Sequence, residues 1–160
     1  MPVYSTGGLL SPIVLRNGKI APSLSLVSLR VATRRGEASS RLSDQRRNTI
    51  ADLLRGCILD GQDILLPHRR SNGFGETFFI VARADEPGAV AIQRRILGQL
   101  SGHRVINEVG AELAASYSVL DLGSMHASEP SSALVERVVS MVERFVEEQN
   151  GGQESCDARE

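Results

Sequence analysis

Apolar positions change their spacing several times along this chain, and each change marks an element. Residues 24–32 (LSLVSLRVA) concentrate Leu and Val in a short run, the pattern of a buried strand. Arg34-Arg35-Gly36 and the Ser-rich segment to Ser43 read as a loop, and Ser43 or Asp44 suits a helix N-cap. Ile50, Leu53, Leu54, Cys57 and Ile58 then recur at helical spacing, so a helix is expected over 44–58, weakened in its last turn by Gly56. Asp60-Gly61 marks a turn, residues 63–66 a short strand and residues 67–75 (PHRRSNGFG) a polar loop. Residues 77–82 (TFFIVA) are continuously apolar and rich in aromatic and β-branched side chains, as in a central strand. The two strands around the loop read as a hairpin.

The second half repeats the theme. Glu86-Pro87 opens a helix whose apolar face is Ala89, Ile92, Ile96 and Leu100, ended by Ser101-Gly102. Residues 113–120 form another strand. Pro130-Ser131 precede a last helix with Leu134, Val135, Val138, Val139, Val142, Phe145 and Val146 on one broad face, and Asn150-Gly151-Gly152 is expected to stop it. The order β-α-β-β-α-β-α predicts an α/β fold: one mixed sheet flanked by helices in a single domain. Residues 23–149 form that domain. Residues 1–22 are an N-terminal arm with Ile13-Val14-Leu15 and an Asn17-Gly18 turn, enough for a small hairpin or an edge strand. Residues 150–160 are expected to be a disordered polar tail.

At 160 residues, one domain uses almost the whole chain and can bury a core without disulfides or metal. A net charge of -1 gives no general case for nucleic acid binding. Charge is nevertheless uneven. Residues 30–70 hold four more arginines than acids, and residues 129–160 five more acids than bases, a distribution suited to a protein partner or a second copy. Lys19 is the only lysine. Cys57 and Cys156 are far apart and no Cys/His ligand spacing occurs, so free thiols, no structural metal and a cytoplasmic protein without membrane insertion are expected. His68, His103 and His126 are scattered, and there is no GxSxG elbow.

The segment 71–81 (SNGFGETFFIV), together with the element order, resembles the signature hairpin of the GGDEF family, the diguanylate cyclases. Alignment on the last Phe sets Phe74, Gly75, Glu76, Thr77 and Phe78 against Gly-Gly-Asp/Glu-Glu-Phe. The resemblance spans about 24–149. It implies the nucleotidyl-cyclase palm type of sheet, a bacterial cyclic-di-GMP-linked setting, and a cleft where two metal ions hold a nucleotide.

The departures from that pattern predict a non-catalytic domain. Where the family places metal-binding Asp residues, this strand reads Val27-Ser28-Leu29-Arg30-Val31, and an arginine there repels a divalent ion. Thr77 replaces the second acid of the signature, and Phe74 replaces a glycine that lets the nucleotide approach. Glu76 alone cannot make a two-metal site; it reads as a solvated turn residue rather than a relic metal ligand. Phe74 is either a turn side chain covering the sheet or a plug in the former cleft. Gly73 and Gly75 serve turn geometry. The family's inhibitory Arg-x-x-Asp finds no match before the signature. The expected function is therefore a catalytically inactive regulatory or interaction module, not an enzyme, acting through a protein partner or as a homodimer, with no cofactor. The alternative is a receptor that binds a nucleotide or cyclic-di-GMP through Arg34, Arg35, Arg69 and Arg70.

Overall fold

Residues 24–29 are buried without a break, which a strand achieves only when both faces of its sheet are covered. The computed structural model shows how this comes about; it describes residues 10, 12–16, 19–32, 44–58, 63–66, 75–126 and 130–159. The elements in chain order are β1 (Leu15–Arg16), β2 (Lys19–Ile20), β3 (Ser23–Ala32), α1 (Asp44–Arg55), β4 (Asp63–Leu65), β5 (Gly75–Ala82), α2 (Glu86–Leu100), α3 (Arg104–Val109), β6 (Glu112–Asp121), α4 (Leu122–His126) and α5 (Ser131–Arg159).

The main sheet has the order β4-β5-β3-β6, and β1 pairs with β2 in a separate two-stranded hairpin. The α/β architecture with flanking helices is as expected, but the sheet is not mixed: every pairing among the described residues is antiparallel. The reason is a doubled split β-α-β plan. Each helical connection joins strands that run the same way, and the strand inserted between them reverses every neighbour contact.

Strand alternation sends side chains into two cores. Val27, Leu29, Val31, Phe78, Ile80 and Ala82 meet Ile50 and Leu54 of α1 and Ile92, Ile96 and Leu100 of α2. The opposite face carries Leu24, Leu26, Phe79, Val81 and Leu120 against Leu134, Val138, Val142 and Val146 of α5. The arm completes this second core, because Leu10, Ile13, Val14 and Ala21 are all buried within it. The expected hairpin is there, but the arm is core rather than appendage.

Helix ends follow local chemistry. Asp85 caps α2, its Oδ1 accepting from Gly88 N at 3.1 Å, with Pro87 in the first turn. The α1 helix ends at Arg55, three residues short of expectation, in a turn through Gly56 and Cys57. Two short helices were not anticipated. Arg104–Val109 buries Val105 and Ile106 and ends at Gly110 in the left-handed region, φ 61°. Leu122–His126 is capped by Asp121, which accepts from Ser124 N at 3.1 Å and Ser124 Oγ at 2.8 Å; these bonds hold its carboxyl below the usual aspartate range.

The last helix does not stop at Asn150-Gly151-Gly152. Its backbone remains helical to Arg159, so residues 150–159 are helix rather than an irregular tail. A glycine costs a helix about 1 kcal/mol but does not forbid it, and propagation from a packed helix needs no new nucleus. Among the described residues no helix is long and apolar enough to cross a membrane.

Candidate functional site

The residues singled out by the signature lie at the end of the sheet where β5 begins. The register sets Gly75 opposite Ala32, Glu76 opposite Val31, Thr77 opposite Arg30 and Phe78 opposite Leu29. Gly75 and Glu76 are therefore strand, not the turn expected of them, and Thr77 and Phe78 continue it as the apolar run predicts. Extended pairing with β3 outweighs the turn preference of Gly75, because Glu76, Thr77 and Phe78 are all buried. Phe74, Arg34, Arg35, Arg69 and Arg70 lie outside the described residues.

Alternation then separates what the resemblance would bring together. Glu76 shares a face with Val31 and Phe78, toward α1. Thr77 and Arg30 share the opposite face, toward α5. Glu76 and Arg30, which the resemblance would bring to one cleft, project from opposite sides of the sheet.

Glu76 is neither a solvated turn residue nor an open metal ligand. It is 3% exposed, and its carboxylate is forked by Arg47: Nη2 to Oε1 at 2.6 Å and Nε to Oε2 at 3.1 Å. Arg47 Nη1 also reaches Asp44 Oδ1 at 2.6 Å, but Asp44 stands in solvent. The hydrogen bond to Glu76 is the largest influence raising the Arg47 guanidinium above its ordinary value, with partial burial opposing it. A bidentate guanidinium satisfies both carboxylate oxygens with two parallel N–H donors. A divalent ion would have to displace it.

On the α5 side the polar groups around Ser28 are neutral. Ser28 Oγ and Ser116 Oγ share a hydrogen bond of 2.7 Å, and Gln149 Oε1 of α5 lies 3.5 Å from each. Thr77 Oγ1 is buried and finds no partner among the described residues. No carboxylate joins Ser28, Arg30 and Val31 on β3. Among the described residues no three His, Cys, Asp or Glu side chains gather where they could hold a metal ion.

A second polar feature, missed in the sequence, is a surface pocket of about 380 Å³ between α1 and α3. Gln45, Arg46, Thr49, His103, Arg104 and Glu108 line it. His103 faces it from the N-cap of α3, its Nδ1 accepting from Val105 N at 3.1 Å. Arg104 approaches Glu108 at 4.0 Å. The sequence signal was available in Arg46 and Arg104, but nothing local says that α1 and α3 would meet.

No protein-family model matches the chain, and no curated protein matches it in sequence. Solved structures share its backbone shape distantly. Residues 156–455 of PelD from Pseudomonas aeruginosa PA14, in the apo form, match over 82% of this chain and 41% of that one, at 14% identity and a TM-score of 0.39. A hydantoinase/carbamoylase family amidase from Burkholderia ambifaria matches over 60% of this chain and 27% of its own, at 13% identity and a TM-score of 0.42. An amidase of the same family from Burkholderia multivorans matches over 77% and 33%, at 15% identity and a TM-score of 0.38. The chain thus spans less than half the length of each of these structures.

Proposed function

We propose that this chain is a catalytically inactive, GGDEF-like regulatory module that acts by binding protein rather than by turning over a nucleotide. The observation that carries the reading is the fate of Glu76. The only acid kept from the signature is buried, forked by Arg47, and set on the face opposite Arg30. Phosphoryl transfer of the cyclase kind needs carboxylates converging on metal and triphosphate. In this reading the signature strand survives as architecture, its carboxylate having become a tie between sheet and helix. The setting is a cyclic-di-GMP-linked or assembly complex, as the sequence resemblance implies.

The test is a GTP turnover assay with magnesium and with manganese, run beside calorimetric titration of GTP and cyclic-di-GMP. No turnover is expected. Metal-dependent production of a cyclic dinucleotide would overturn the reading.

The pocket between α1 and α3 favours a second reading, a receptor for a nucleotide, since Arg46, Arg104 and His103 are suited to phosphate. Under that reading the same titration gives saturable binding that Arg46→Ala weakens. Binding abolished instead by Arg69→Ala and Arg70→Ala would locate the ligand at the loop before β5.

A further inference from the structure

The two edges of the main sheet are built differently. At one edge β4 is only three residues long, and its first residue, Asp63, is a buried charge, two devices that discourage further pairing. At the other edge β6 runs for ten residues in unbroken register with β3, from Ser23↔Asp121 to Ala32↔Glu112, without a bulge. Between its terminal acids it reads LAASYSVL, with no charge, proline or glycine. Among the described residues β6 pairs with β3 alone, so its outer row of backbone groups faces away from the sheet. One of these, the Ala115 carbonyl, is held by Gln93 Nε2 of α2 at 2.8 Å.

We infer that the β6 edge is a homodimer interface, in which a second copy adds its own β6 antiparallel across a two-fold axis to make a sheet of eight strands. A two-fold axis normal to the sheet keeps each face on its own side, so partners must be residues of the same face. Centred on Ser116, the pairing sets Leu113 of one copy opposite Val119 of the other, and Ala115 opposite Tyr117. All four lie on the α1/α2 face, where Leu113, Ala115 and Tyr117 already lean on the core. The same register keeps Glu112 and Asp121 from meeting each other.

The helix layer fits the same axis. The α2 helix packs over β6 and β3. Its copy would therefore lie about two strand spacings away, roughly 10 Å, the distance at which helices pack. The side of α2 turned toward this edge carries half-buried Val90, Gln93 and Leu97. Antiparallel apposition sets Val90 against Leu97 of the other copy, with the two Gln93 side chains at the centre, on the level of Ala115 and hence of the axis. The sheet and the α2 layer are self-complementary about one point.

This inference gives the interaction module a surface and a partner, and it can fail while the non-catalytic reading stands, because the GTP assay tests that separately. Ser116 is exposed in the monomer and meets its own copy at the axis, so one substitution places like charges directly opposite. Sedimentation of the full chain is expected to give twice 17.3 kDa. Ser116→Lys and Ser116→Glu, each with the far-UV circular dichroism of the parent, are expected to sediment at 17.3 kDa, and their equimolar mixture to recover the doubled mass. A monomeric parent, or a Ser116→Lys chain as dimeric as the parent, would overturn the interface. A mixture that stays monomeric would overturn the register.

Discussion

Removing Arg47 tests whether the Glu76 pair ties the sheet to α1. The Glu76 side chain is 4% exposed and that of Arg47 19%. Truncation to Ala removes both guanidinium donors from a carboxylate buried on an apolar face. Breaking a buried pair in this way costs about 3–5 kcal/mol, and the partial exposure of Arg47 places the cost near the lower end, about 3 kcal/mol. For a domain of this size that lowers Tm by roughly 6–12 °C. The reverse deletion is milder. Glu76→Gln leaves Arg47 partly hydrated and still beside Asp44, and should cost about 1–2 kcal/mol. Asp44→Ala, at a pair open to solvent, should stay within about 0.5 kcal/mol of the parent. Replacing both partners, Arg47→Met with Glu76→Leu, should recover most of the loss. Urea unfolding followed by circular dichroism measures all four. An Arg47→Ala cost below about 1 kcal/mol, or a Glu76→Gln cost exceeding it, would refute the reasoning.

Other expectations come from single positions. A Cβ on Gly98 of α2 meets nothing within 4 Å, whereas one on Gly88 comes 2.7 Å from Ala84 Cβ. In urea unfolding, Gly98→Ala should therefore stabilise by about 0.5–1 kcal/mol, and Gly88→Ala should destabilise by about 1–3 kcal/mol. Burial pushes the Cys57 thiol up, with Arg95 opposing, so in a Cys156→Ser background its labelling by a thiol reagent at neutral pH should be limited by unfolding. The Asp121 carboxyl is held low by its bonds to Ser124, so its contribution is present above its ordinary value of 3.8 and is lost as pH falls through the lower folded value. Asp121→Ala should consequently show a smaller loss of Tm on acidification below about pH 4 than the parent.

Strands buried on both faces announce themselves, which is why 24–32 and 77–82 were legible as β3 and β5. The burial of Glu76 was not read, although its signal was present. Glu76 keeps the period-two phase of Phe78 and Ile80, and Arg47 keeps the helical phase of Ile50 and Leu54, so each charge points where its apolar neighbours point. The turn preference of Gly75 competes locally with that phase and masks it. Arg104–Val109 and Leu122–His126 are too short for periodicity to register. The extension of α5 past Gly151-Gly152 opposes local propensity and could not be read from it. The core role of Leu10, Ile13 and Val14 depends on a cluster they share with residues of α5, more than a hundred positions away, which no local pattern encodes.

During synthesis the two cores close at different times. The core between the sheet and α1/α2 draws on residues 27–117 and can close once β6 exists. The other core waits for residues 134–146, which follow every strand of the sheet, before Leu24, Leu26, Phe79, Val81 and Leu120 are shielded. Until then a half-finished chain carries a dry helix-covered face and a wet apolar one. Slow translation ahead of α5 would lengthen that exposure, and with it the demand for chaperones.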